Sequence, residues 1–238
     1  MEANPSNNAI DPERIPGRLR DAYRRLAASI ARHRSVVVAY SGGVDSGVLA
    51  YVSHRLLDER ALCVLGVSPS LAKREESAAI DFLTAHGIPF VRVETREIEN
   101  EDYRRNHPDR CYHCKSELFD RIGEVAAGRG FATVLHGSNL DDGHDYRPGS
   151  KAADERQVAA PLVEAGFTKH MVRELARALG LELWDKPASP CLASRVPYFE
   201  NVTRKKLSQI EQAENILEDL RFDVFRVRHH GDLARIEM

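Results

Sequence analysis

Short apolar runs alternate with helical patterns through most of the chain. The run Val36–Tyr40 is continuous and mostly β-branched, which is typical of a strand buried on both faces of a parallel sheet. Further strands are predicted over residues 62–67, 90–93 and 133–136. Helices with apolar residues at helical spacing are predicted over residues 19–30, 48–57, 73–86, 115–127 and 168–179. This order of elements predicts an α/β fold with a parallel sheet and right-handed crossovers.

The pattern changes near residue 196, where the alternation of strands and helices ends. One helix is predicted over Lys205–Leu220, and two short strands over Val224–Val227 and Ala234–Ile236. These elements favour a small α+β region beyond the parallel sheet. We therefore expect a flexible N-terminal arm over residues 1–18, a sheet domain over residues 19–185 and a C-terminal α+β region over residues 186–238.

The length of 238 residues suits one large domain with a small addition, because a domain takes about 100–200 residues. Two stretches, residues 97–114 and 139–160, show few periodic signals. Long loops without a pattern are often functional in compact domains, so both stretches are candidates for site loops.

The charge of the chain is balanced, with 34 Lys and Arg against 36 Asp and Glu. This disfavours a nucleic-acid binder, which usually shows a basic excess. No run reaches the roughly 18 apolar residues that a membrane span needs. The N-terminus lacks a basic start followed by an apolar stretch, which disfavours a secretory signal. We therefore expect a cytoplasmic protein without a membrane or nucleic-acid partner.

A glycine-rich loop follows the first predicted strand and consists of Ser41, Gly42, Gly43, Val44, Asp45 and Ser46. Glycines allow a tight turn, and the free N–H groups at the start of the next helix suit phosphate. The loop lacks the Gly-Lys-Ser/Thr ending of a Walker A motif, so transfer of a γ-phosphate is disfavoured. It resembles the PP-loop of N-type ATP pyrophosphatases, which implies cleavage of ATP between the α- and β-phosphates. Ser68, after the second strand, is a further candidate for ATP contact.

Four cysteines stand at positions 63, 111, 114 and 191, and in a reducing cytosol they suggest metal or catalytic roles before disulfides. Cys63 lies in a predicted buried strand and is expected in the core. Cys111 and Cys114 form a Cys-x-x-Cys pair, which suits a redox pair, half a zinc site or two iron–sulfur ligands. Cys191 lies in a proline-punctuated loop beside Arg195, whose charge favours the thiolate.

Several motifs occur in a fixed order: SGGVDS at 41–46, CYHCK at 111–115, GSNLDD at 137–142, DYRPG at 145–149, PCLASR at 190–195 and an arginine-rich end at 226–237. Together they resemble the LarE family of ATP-dependent sulfur transferases, which build the nickel-pincer nucleotide cofactor of lactate racemase. The resemblance covers roughly residues 19–237. It implies a PP-loop ATP pyrophosphatase fold, a small-molecule nucleotide substrate and a homo-oligomer.

The resemblance also implies a reaction. ATP with Mg²⁺ adenylates a carboxylate of pyridinium-3,5-biscarboxylic acid mononucleotide, and sulfur then replaces AMP to give a thiocarboxylate. The three cysteines Cys111, Cys114 and Cys191 match the branch of the family in which a 4Fe-4S cluster with one open iron carries the sulfide. In the alternative, Cys191 gives up its own sulfur and becomes dehydroalanine.

Other site residues follow from this substrate. Arginines pair with phosphate or carboxylate in a bidentate way, and the candidates are Arg195, Arg226, Arg228 and Arg235. Lys115 is a candidate for contact with ATP phosphates or the adenylate. Asp45, Asp141 and Asp142 are candidates for Mg²⁺ or substrate positioning, and the proposed catalytic set is Cys191, Asp45 and Lys115. A solvated surface side chain is the alternative for each arginine and carboxylate.

Three other functions compete with this interpretation. PP-loop enzymes that thiolate tRNA also combine a cysteine pair with a cluster, but the balanced charge disfavours a tRNA surface. An amide-forming PP-loop ligase leaves the three cysteines without a task. A zinc-binding interaction module leaves the glycine-rich loop unexplained.

Overall fold

The protein is described by a computed structural model that covers residues 10–144, 148–222 and 224–238. Within these residues, a parallel sheet has the strand order β3-β2-β1-β4. Its strands are β1 (Val36–Tyr40), β2 (Ala61–Val67), β3 (Phe90–Glu94) and β4 (Thr133–His136). In the central strand, Val36 pairs with Ala61 on one side and Thr133 on the other. The predicted parallel α/β fold is confirmed.

Helices cover both faces of this sheet. Those before the C-terminal region are α1 (Gly17–Ala31), α2 (Val44–Leu57), α3 (Lys73–Ala85), α4 (Glu101–Arg104), α5 (Arg110–Arg129), α6 (Pro148–Glu155), α7 (Pro161–Glu164) and α8 (Lys169–Ala178). One core cluster joins the sheet to α1, α2, α3 and α8, and a second joins it to α5 and α6. Cys63 is buried in the first cluster, as predicted, and burial raises the pKa of its thiol.

The C-terminal region consists of α9 (Arg204–Asp219) and an antiparallel hairpin of β5 (Arg226–His230) and β6 (Leu233–Glu237). The prediction of a strand over residues 224–227 is wrong in its bounds. The strand begins two residues later and includes His229 and His230, which pair with Ala234 and Leu233. Backbone pairing therefore extends the strand past its apolar residues.

A third core cluster lies under the C-terminal region. Its members include Leu192, Val196 and Leu207, which pack with Ile98 and Tyr103 from the segment before α5. The segment around residue 191 is therefore anchored on the same apolar cluster as the segment that leads into α5.

The two stretches that lack a periodic pattern contain helices. Residues 97–114 include α4 and the start of α5, and residues 139–160 include α6. The prediction of loops is wrong there, because polar residues hide the helical pattern, and local bonds at the start of a helix leave no periodic signal in the sequence. The side chain of Asn100, for example, accepts the Asp102 N–H at the start of α4.

Two parts of the sequence predictions lie outside the described residues: positions 1–9 of the expected arm and positions 145–147 of the DYRPG motif. In the part of the chain that the structure covers, no helix combines the length and apolarity that crossing a membrane requires.

Candidate active site

The glycine-rich segment, residues 41–46, forms the turn from β1 into α2 and is called the phosphate loop here. Gly42 has a φ of +75°, which favours glycine, and a Cβ there would lie 3.0 Å from the Cβ of Ala79. The buried Ser46 hydroxyl accepts the Ser41 N–H and donates to the Gly43 carbonyl. The residue before α2, Gly43, has no side chain to cap the helix, whose first N–H groups therefore suit a phosphate oxygen.

The end of β4 lies directly against this loop. A Cβ at Gly137 would lie 2.7 Å from the backbone nitrogen of Ser46, a distance that real Cβ atoms do not show. The glycine of the GSNLDD motif thus lets two backbones approach each other beside the phosphate loop.

Asp45 links the phosphate loop to two other segments. Its carboxylate pairs with the Lys169 ammonium and accepts a hydrogen bond from the Asn139 amide at 3.2 Å. The Asn139 N–H donates to Asp142 at 3.1 Å, and the Lys169 N–H donates to Asp141 at 2.8 Å. The predicted acidic residues Asp45, Asp141 and Asp142 are therefore linked to one another through Asn139 and Lys169.

Cations from two further segments border the phosphate loop. Lys186 donates to the Gly42 carbonyl at 3.0 Å and pairs with Glu75 at 2.8 Å. The pKa of Glu75 is lowered: burial acts to raise it, but the bonds of the carboxylate to Lys186 and Ser189 have the larger combined effect. Lys169, Arg173 and Lys186 line a cavity of about 140 Å³ together with the loop. Sequence reasoning missed these cations because they come from positions far from the motif.

Cys111 and Cys114 lie in the first turns of α5, which begins at Arg110 and not at residue 115 as predicted. The polar residues between the two cysteines hide the helical pattern in the sequence. Because the cysteines are three positions apart on a helix, both lie on one face. Cys114 packs against the third core cluster, whereas Cys111 is exposed.

Cys191 lies in the segment of residues 190–197, called the Cys191 loop here, which includes the short 3-10 helix Leu192–Arg195. Burial raises the pKa of the Cys114 thiol, and the charges of Glu97, Cys191 and Cys111 add to this rise. Cys191 is exposed at the surface, yet desolvation by the surrounding protein raises the pKa of its thiol, and the nearby charge of Arg110 opposes the rise. The three predicted thiols therefore lie within electrostatic reach of each other.

The predicted arginines differ in their surroundings. Arg195 is 3% exposed, and its guanidinium donates hydrogen bonds to the Glu214 carboxylate and to the Cys191 carbonyl. Arg228 donates to the Ser194 carbonyl at 2.9 Å and pairs with Glu237, which also pairs with Arg235. Their roles toward a substrate stay predictions.

Arg226 lines a cavity of about 500 Å³ that borders the Cys191 loop. Its other charged members are Arg74, Glu75, Lys186, Arg195, Glu218 and Arg221, and two phenylalanines, Phe222 and Phe225, add apolar surface. This arginine cavity shares Lys186 and residues 187–189 with the phosphate-loop cavity. A recess that contains Cys191 and Ser41 shares Ser189 with both.

Two buried groups near these cavities carry no signal in the sequence. His136 lies at the end of β4, where burial and the charge of Lys115 lower its pKa to about 4. Glu97 is 2% exposed and accepts from the Ser70 hydroxyl at 2.8 Å, and that hydroxyl lies 2.8 Å from the Ser68 hydroxyl. Lys115 is thus placed beside the end of β4, while the predicted role of Ser68 toward ATP stays a prediction.

Comparison with known proteins places these features in context. The chain is 35% identical over 214 residues to the pyridinium-3,5-bisthiocarboxylic acid mononucleotide synthase of Lactiplantibacillus plantarum, which covers 90% of this chain and 78% of the relative. It is 44% identical over 202 residues to an uncharacterised protein of Synechocystis, covering 85% and 75%. It is 27% identical over 195 residues to one component of the glutamine-hydrolysing GMP synthase of Methanocella arvoryzae, covering 76% and 63%. No family model matches the chain.

Proposed function

The chain belongs to the LarE family of PP-loop enzymes, and we propose that it converts a carboxylate of pyridinium-3,5-biscarboxylic acid mononucleotide into a thiocarboxylate. As predicted, it is an ATP-dependent sulfurtransferase. The proposed product serves the nickel-pincer nucleotide cofactor of lactate racemase. A cytoplasmic location and a homo-oligomer remain part of the proposal.

The observation that carries this proposal is that three neighbouring cavities share lining residues. The phosphate-loop cavity, the Cys191 recess and the arginine cavity are all lined by Glu75 and Ser189. A triphosphate at the loop and an anionic nucleotide in the arginine cavity therefore meet beside Cys191. The guanidinium groups of Arg221 and Arg226 suit the phosphate of a mononucleotide.

Adenylation is the first step of the proposed reaction. A carboxylate oxygen of the substrate attacks the α-phosphorus of ATP, and the bond to the β-phosphate breaks to release pyrophosphate. Lys169 and Lys186 lie where they offset the charge of the departing pyrophosphate. Asp45, with Asp142, would hold a Mg²⁺ ion that neutralises the phosphates.

Sulfur transfer is the second step. A sulfur nucleophile attacks the acyl carbon, and AMP leaves with the former carboxylate oxygen. Cys111, Cys114 and Cys191 fit a 4Fe-4S cluster in number and chemistry, since three thiolates leave one iron open. Such a cluster, when bound, supplies the sulfide that is transferred.

The alternative source of sulfur is Cys191 itself, which is exposed and lines the recess that contains Ser41. Among the described residues, no three His, Cys, Asp or Glu side chains lie close enough together to hold a single metal ion. In this alternative, the Cys191 thiolate attacks the acyl adenylate and AMP leaves. A base then removes the Cα proton of Cys191, and the Cβ–S bond breaks to give the thiocarboxylate and dehydroalanine.

An anaerobic assay with ATP, Mg²⁺, sulfide and the biscarboxylate substrate tests the proposal. We expect a thiocarboxylate by mass spectrometry, with one AMP and one pyrophosphate for each carboxylate converted. Repeated turnover that depends on sulfide and iron supports the cluster. A single product per chain, with dehydroalanine at position 191, supports the alternative. Adenylation without any thiocarboxylate contradicts the proposed function.

A further inference from the structure

We propose that Asn106 and Arg110 form a clamp that fixes the position of the Cys191 loop relative to the two cysteines of α5. The clamp is a positioning device for sulfur transfer, and in that respect it rests on the proposed function. Both residues lie outside the described linings of the cavities that border the phosphate loop.

Arg110 connects the two cysteine-bearing segments directly. It is 6% exposed, and its Nη1 donates to the Ala193 carbonyl at 2.8 Å and to the side-chain oxygen of Asn106. Arg110 directly precedes Cys111, and Ala193 is the second residue after Cys191. One guanidinium therefore ties the start of α5 to the Cys191 loop.

Asn106 extends the clamp along the same loop. It is fully buried, and its side-chain nitrogen donates to the carbonyl oxygens of Val196 at 3.2 Å and Pro197 at 2.7 Å. Its own carbonyl accepts the Phe199 N–H at 3.1 Å. Its φ of +56° is a conformation that asparagine tolerates better than most residues.

The Cys191 loop depends on such bonds because it lies outside both described sheets. Arg195 donates to the Cys191 carbonyl within the loop, and other segments supply further bonds. The Ser70 carbonyl accepts the Leu192 N–H at 2.8 Å, and Arg228 donates to the Ser194 carbonyl. Without these partners, buried carbonyl and N–H groups of the loop lose their hydrogen bonds.

A buried guanidinium is costly, since apolar residues of similar size often give equal or greater stability. Arg110 nevertheless lies in the interior, next to the thiols of Cys111 and Cys191, with which it interacts electrostatically. A role in placing the thiols explains this arrangement better than stability alone.

Three variants test the clamp: Asn106→Gly, which removes the side chain but allows the positive φ, Arg110→Met, and the double variant. Hydrogen exchange of the peptide over residues 190–199 is the first readout and needs no substrate. We expect it to rise about tenfold in each single variant. Exchange in the double variant should be no faster than in the more affected single variant, because both residues act through one set of bonds. Arg110→Lys, which keeps a charged donor, should restore part of the protection.

The second readout separates the two chemical steps. Thiocarboxylate formation should fall about 10-fold to 100-fold, while pyrophosphate release stays within about twofold of the wild type. The matched control is Arg25→Met, since Arg25 also donates to a distant carbonyl, that of Ala165, at 2.9 Å. It should change neither readout.

Unchanged exchange over residues 190–199, additive effects in the double variant, or an equal loss in both steps would each overturn the clamp. Asn106→Gly carries the test alone if Arg110→Met does not fold. If the wild type forms no thiocarboxylate, the proposed function fails, while the exchange result still decides whether the clamp exists.

Discussion

The phosphate loop joins a central strand to a long helix, whereas the Cys191 loop contains one short 3-10 helix and is otherwise irregular. Gly42 and Gly137 shape the phosphate loop through backbone conformation and close backbone approach. The Cys191 loop is fixed by side chains from distant segments, among them Asn106 and Arg110. Remote side chains, among them Lys169 and Lys186, also bond to the phosphate loop, but its turn is shaped by its own backbone. The Cys191 loop, by contrast, depends on remote side chains for its position.

The largest expected effect comes from the Cys191 loop itself. Cys191→Ser removes the thiol that both sulfur mechanisms need, so thiocarboxylate formation should fall by about 10³-fold or more. ATP binding, measured by calorimetry, should not change, because the phosphate loop is intact. Cys63→Ala, which alters a cysteine of the core, should keep the activity. Sulfur transfer by Cys191→Ser at a normal rate would refute both mechanisms.

Glu214→Ala tests how strongly the Cys191 loop depends on remote side chains. Glu214 is 1% exposed, pairs with Arg195 and Arg74, and accepts the Val227 N–H. Removing it leaves the buried Arg195 without this countercharge, so the free energy of unfolding should fall by about 3–5 kcal/mol. Urea denaturation measures this loss. A loss below about 1 kcal/mol would mean that solvent already screens the pair.

His136, at the end of β4 beside the phosphate loop, makes the stability of the protein depend on pH. The pKa of His136 is lowered to about 4 in the folded protein, below its value near 6.5 in the unfolded chain. The unfolded state therefore binds more protons between these values, and stability falls as the pH drops from about 6.5 to 4. The contribution is about 3 kcal/mol. We expect the free energy of unfolding of His136→Asn, measured by denaturation across this range, to depend less on pH than that of the wild type. Parallel profiles would assign the loss to other groups.

A smaller effect tests the close approach of two backbones. Gly137→Ala places a Cβ against the Ser46 nitrogen, so we expect about 1–3 kcal/mol of destabilisation and weaker ATP binding. Gly128→Ala is the control, since no atom of the described residues lies within 4 Å of a Cβ at that helical position. It should be neutral or stabilising by up to about 1 kcal/mol. Equal effects of the two substitutions would mean that the close backbone approach at Gly137 does not matter for stability.

The same contrast explains what the sequence predicted. The phosphate loop is contiguous, so its residues and its place between a strand and a helix were predictable from a motif and an apolar run. Lys169, Lys186 and Glu97 were not, because no local pattern separates them from surface residues. The start of α5 was missed since its first turn is polar, and the true bounds of β5 depend on pairing with β6.

The clamp contacts also bear on the order in which the site is assembled. The bonds from Arg110 to Ala193 and from Asn106 to Pro197 span 83 and 91 residues of chain, and the pair of Arg74 with Glu214 spans 140. Closing such long loops costs more entropy than forming the local turn of the phosphate loop. The turn of the phosphate loop itself therefore forms without closing such a loop, whereas Cys111 and Cys114 meet Cys191 only when these long-range contacts are made. Until then, the cysteines of a newly made chain are open to oxidants and stray metal ions.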